Sequence, residues 1–94
     1  MSAVTYLSEN EETLALYTTA ITRAHGDHHP EVFEVKKVYS ELSDKIAKQG
    51  EKANLKPEFN ELRKLTDDFS IPADACLTMK NTYEMLAEAA QLNN

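Results

Sequence analysis

The sequence is poor in chain breakers, with only two Gly and three Pro among 94 residues. That is too few for a sandwich or barrel, whose many turns need them. A single Cys excludes an internal disulfide. Basic residues are outnumbered, ten Lys and Arg against sixteen Asp and Glu, for a formal charge of −6. A chain of that balance lacks the basic face of a general nucleic-acid or anionic-membrane binder. No apolar run approaches the ~20 residues of a membrane span, and no secretory n-region or apolar h-region opens the chain. The expectation is one cytoplasmic domain over residues 1–94, with no nucleic acid and no membrane as partner. Frequent Ala, Leu, Glu and Lys favour helices.

The few breakers cluster at three boundaries. Gly26 and Pro30 bracket the first, Gly50 and Pro57 the second, and Pro72 marks the third. Gly is favoured just past a helix end and Pro in a first helical turn. The spacing predicts helices over about 9–25, 30–48, 58–69 and 73–92, with residues 1–8 a loosely ordered lead-in. Ser8 and Glu11 have capping-box spacing for the first helix. Early Glu31 and Glu34 with late Lys45 and Lys48 suit the dipole of the second. Asp67 and Asp68 oppose the dipole of the third, so Asp68 is expected to serve the following turn.

The apolar residues step in threes and fours. The stripes are Leu14, Tyr17, Ile21 and Ala24; Val32, Val35, Tyr39, Leu42 and Ile46; Phe59, Leu62, Leu65 and Phe69; and Cys76, Met79, Tyr83, Leu86 and Ala90. Four such stripes on short connections predict an all-α, up-down-up-down four-helix bundle. The short third helix would leave one end of the bundle under-covered. A small core of this kind makes a homodimer, or contact with another protein, the expected partner.

All three histidines lie in His25-Gly26-Asp27-His28-His29-Pro30-Glu31. His25 follows Ile21 by four, and His28 precedes Val32 by four. Histidines on an inner bundle face beside carboxylates are how helical bundles bind metals. His25, His28 and His29 are therefore the candidate metal residues, against the plainer reading of a polar corner between helices. Cys76 on the last stripe reads as a small buried hydrophobe, near a helix N-terminus where a reactive thiol would also sit. Tyr17, Tyr39 and Tyr83 read as core residues with hydroxyls near the rim. No catalytic triad elbow, phosphate loop, Cys-x-x-Cys or His-Glu-x-x-His is present, so no enzyme is expected.

The corner His25-Gly26-x-x-His29-Pro30-Glu31 resembles the hemerythrin-like domain of the iron–sulfur cluster repair di-iron proteins. These are also described as regulators of cell morphogenesis and nitric oxide signalling. A second block is similar to that family: Leu65-Thr66-Asp67-Asp68-Phe69, then Pro72-Ala73-Asp74-Ala75-Cys76, then Tyr83 and Leu86. The resemblance spans about residues 14–90. It implies a four-helix bundle holding two bridged irons, with about five His and two carboxylates inside.

Carried over by position, only His25 matches a metal ligand of the family. No His precedes it on the first helix. Where the family's second helix carries His-x-x-x-Glu, this chain has Gln49 and Ala53. Gln is a poor transition-metal ligand and Ala is none. The segment Asn54 to Phe59 has no His, and the chain stops at Asn94, before the family's second His-x-x-x-Glu. A five-His site is not built from three, so the expectation is no cofactor, or iron as a di-iron centre only if the family function survives. The leading reading is a non-enzymatic, ligand-stripped interaction or structural module. The first rival is a metal-binding protein of iron–sulfur repair or nitric oxide and oxidative stress, its ligands completed across a dimer. The second is an unrelated helical binding module. In a metal-free bundle, the tyrosines with Met79 and Met85 would fill the space of the metal cluster.

Overall fold

The computed structural model describes residues 1–93. They form five α-helices and no strand: α1 Ala3–Glu9, α2 Glu11–His25, α3 Glu31–Gln49, α4 Lys56–Thr66 and α5 Leu77–Leu92. A 3-10 turn at Gly50–Lys52 separates α3 from α4. The expected all-helical class is therefore the one adopted. α2 packs against α3 and α5, α3 packs against α4, and α1 packs against α5 and α3. None of the described helices is long and apolar enough to cross a membrane.

The stripes point inward as helical periodicity requires. Leu14, Val35, Val38, Tyr39, Leu42, Phe59, Leu62, Leu86, Ala89 and Ala90 share one buried cluster. Ile21, Val32, Met79 and Tyr83 form a second, beside the corner where α2 gives way to α3. On α2 the inner face differs from the expected stripe. Thr18 is buried, while Tyr17 is half-buried and Ala24 exposed. The Thr18 hydroxyl donates to the Leu14 carbonyl at 2.7 Å, which removes the cost of burying it.

The lead-in is not loose. Residues 3–9 form α1, capped by the Ser2 hydroxyl, which accepts from the Thr5 amide at 3.0 Å. Ala3 and Leu7 are buried in the main core cluster. The Ser2 and Thr5 hydroxyls donate to Glu51 Oε2 at 3.0 and 3.1 Å, fastening α1 to the 3-10 turn. α1 thus packs on the bundle at the end of α3 where α4 begins. Ser8 and Glu11 form no capping box either. Asn10 precedes α2, makes no side-chain cap to it, and donates through Nδ2 to the Tyr6 carbonyl at 2.8 Å.

The link between α4 and α5 also departs from expectation. α4 starts at Lys56, with Pro57 in its first turn, and ends at Thr66. Asp67, Asp68 and Phe69 all take positive φ, at 52°, 59° and 61°. Such backbone is strained for non-Gly residues and persists only where neighbours hold it. Here the Thr66 hydroxyl accepts from the Phe69 amide at 2.7 Å, and the Asp68 amide donates to the Arg63 carbonyl at 2.7 Å. The Asp68 carboxylate lies 3.7 Å from Arg63 Nε, so Asp68 does serve the turn. Residues 73–76, expected as helix, precede it. Cys76 is exposed rather than buried, and its Sγ accepts from the Met79 amide at 3.4 Å as the N-cap of α5.

Two glycines have different reasons. Gly50 sits at φ +59° with open space around it, so its backbone conformation is what calls for glycine. Gly26 is right-handed, at φ −56°. A Cβ there would come within 2.5 Å of the Thr22 carbonyl and 2.6 Å of the Phe33 ring. Gly26 thus lets the start of α3 close down on the end of α2.

Candidate functional site

The helix ends bring the polar residues of the corner together. The backbone turns tightly after α2, with the His28 and His29 amides donating to the His25 carbonyl at 3.1 and 2.7 Å. This places the rings of His25 and His29 edge to face, 6.2 Å between centroids. His29 Nδ1 lies 3.2 Å from Glu31 Oε2, and Nε2 lies 2.8 Å from Asp74 Oδ1. Asp74 belongs to the segment just before α5, so one imidazole ties the α2–α3 corner to the far end of the chain.

Two carboxylates accept hydrogen bonds together only from a ring that carries both protons. The Asp74 hydrogen bond accordingly raises the His29 pKa above 6.5, with Glu31 adding to it. The same bond lowers the Asp74 pKa below its ordinary 3.8.

The other candidates are placed differently. His25 is partly buried, and its Nε2 is buried without a hydrogen-bond partner among the described residues. His28 is exposed. The described residues contain no group of three or more His, Cys, Asp or Glu arranged for a metal ion. The corner therefore unites two of the three predicted histidines and turns one of them toward carboxylates.

A cleft of about 280 Å³ opens beside the corner, lined in part by His29, Glu31, Lys64, Ser70 and Tyr83. Tyr83 is 1% exposed, and its hydroxyl is buried with no hydrogen-bond partner among the described residues. Burial, with the Glu31 charge nearby, pushes its pKa up to about 12. The hydroxyl expected at the rim is thus fully enclosed. Tyr39 matches its expectation better: it is nearly buried, and its hydroxyl donates to the Glu11 carbonyl at 3.3 Å.

The residues present do not fit a di-iron centre. Gln49 ends α3 exposed, and Ala53 lies beyond the 3-10 turn, off the helix that would have to present it. Ile21, Val32, Met79 and Tyr83 pack together beside the corner, a cluster with no His or carboxylate among them. Sequence reasoning missed Asp74 as the partner of His29, because the two lie 45 positions apart. The only sequence signal was that both belong to the two blocks that resemble one family. The sequence matches no family model, and neither a curated protein nor a solved structure matches it.

Proposed function

We propose that the protein is a metal-free, hemerythrin-like four-helix bundle that acts as an interaction or structural module rather than an enzyme. In this reading α2, α3, α4 and α5 are the up-down-up-down helices, and α1 is an added helix that closes one end. The packing of α2 with α3 and α5, and of α3 with α4, supplies three of the four neighbouring pairs of that order, while α4 and α5 do not pack closely among the described residues. The observation that carries the functional reading is the placement of His29 between two carboxylates. Glu31 and Asp74 take both of its ring nitrogens, so a hydrogen-bonded clasp joins the helices where a metal would otherwise join them. Met79 and Tyr83, fully buried against Ile21 and Val32, supply apolar packing in place of a cluster. The rival reading, ligands completed across a dimer, is disfavoured because the Nε2 of His25 is buried within its own chain.

Aerobic loading with iron(II), followed by desalting and metal analysis of the untagged protein, tests the reading. The expected result is no retained iron and no visible absorption. Two irons per chain with bridged-iron absorption would overturn it.

A further inference from the structure

α2 is held along its length by α3 and α5. Its outer side carries a regular stripe. Glu12, Leu16, Thr19 and Arg23 follow at steps of four, three and four, which stacks them on one line of the helix. That line lies opposite the buried Leu14, Thr18 and Ile21. Leu16 is 67% exposed and is the one large apolar side chain of that line. Leu16, Thr19, Ala20 and Arg23, with Ala24, line a shallow depression. The first four stand at i, i+3, i+4 and i+7, the walls of a hole into which a facing helix inserts a knob. Glu12 and Arg23 are exposed at opposite ends of the stripe. Neither has an ion-pair partner among the described residues.

We propose that this face is where two copies of the chain meet, α2 against α2, antiparallel about a two-fold axis between Leu16 and Thr19. Symmetry makes the match. Positions 12 and 23 have the same midpoint as 16 and 19. The axis that sets Leu16 over Thr19 of the second copy therefore sets Glu12 over Arg23 of the second copy, twice. Leu16 of each copy enters the hole of the other, and Ala15 and Ala20 at the sides let the backbones approach. A parallel pairing would set Glu12 against Glu12 and Arg23 against Arg23, so charge selects the antiparallel one. One helix pair is a small interface, of the class that gives weak, reversible association. The net charge of −6 on each copy opposes it, screened over about 8 Å at physiological ionic strength.

The inference deepens the interaction-module reading by naming a partner, and it rests on that reading. Its test is sedimentation equilibrium from about 10 μM to 1 mM, with far-ultraviolet circular dichroism to show that each variant stays helical. The wild-type chain is expected to reach a monomer–dimer equilibrium. Glu12→Arg and Arg23→Glu, each alone, are expected to weaken the dimer about tenfold or more by creating two like-charge contacts. The double swap is expected to restore it, and Leu16→Asp to abolish it. A mass fixed at 10.6 kDa up to 1 mM would overturn the proposal. So would a dimer indifferent to the single swaps. The metal-free reading fails separately: iron uptake by a dimer that obeys the charge swap would overturn that reading and keep this one.

Discussion

His29 Nε2 and Asp74 Oδ1 stand 2.8 Å apart across 45 residues of sequence. Through that contact the start of α3 is held to the segment that leads into α5. The pair has a definite pH signature. The raised His29 pKa means stability that is fully present below 6.5 and is lost as pH rises through the folded-state value. The lowered Asp74 pKa means stability present above 3.8 and lost as pH falls through its folded-state value. Both groups contribute in the window between about pH 4 and 6.5. The difference in melting temperature between the wild type and Asp74→Asn is expected to be largest there and to shrink on either side. A difference that grows steadily from pH 6 to pH 9 would contradict the clasp.

Leu7 tests whether α1 belongs to the fold. It is 3% exposed and packs into the main core cluster. Leu7→Ala is expected to cost about 2–4 kcal/mol in urea unfolding, the usual range for a buried leucine. A change within about 0.5 kcal/mol, as for an exposed tail, would return residues 3–9 to a loose lead-in.

Tyr83 encloses a hydroxyl that no described residue satisfies. An unpartnered buried hydroxyl costs stability, and its removal leaves the packing of the ring in place. Tyr83→Phe is expected to stabilise the protein by about 1 kcal/mol. In the wild type, absorbance titration is expected to show one tyrosine ionising near 12, well after an ordinary phenol. A destabilised Tyr83→Phe would mean that the hydroxyl has a partner on which the fold depends.

The four long helices were legible because each carries enough turns for its apolar period to stand out. α1 was not, because its inward residues are only Ala3 and Leu7, a single repeat of the period. Ser8 and Glu11 have capping-box spacing, yet the cap falls at Ser2, and α2 starts after Asn10. The start of α5 departs from the sequence pattern because Pro72 suits a first helical turn, whereas the chain stays non-helical until Cys76 caps it. Three successive positive φ values at Asp67, Asp68 and Phe69 carry no glycine to announce them. They depend on the Thr66 hydroxyl and the Arg63 carbonyl, contacts that exist only in the folded turn. Of the corner, the sequence showed which histidines were close to one another. It did not show that a carboxylate 45 positions away would claim His29.

The most direct test of the metal-free reading is the ring ¹⁵N spectrum of His29 at pH 6, before and after excess zinc as a diamagnetic stand-in for iron(II). A ring clasped between Glu31 and Asp74 is predicted to show two protonated nitrogens whose shifts do not move on adding zinc. An unprotonated ring nitrogen in the metal-free protein, or one that moves to a metal-bound shift with zinc, would contradict it.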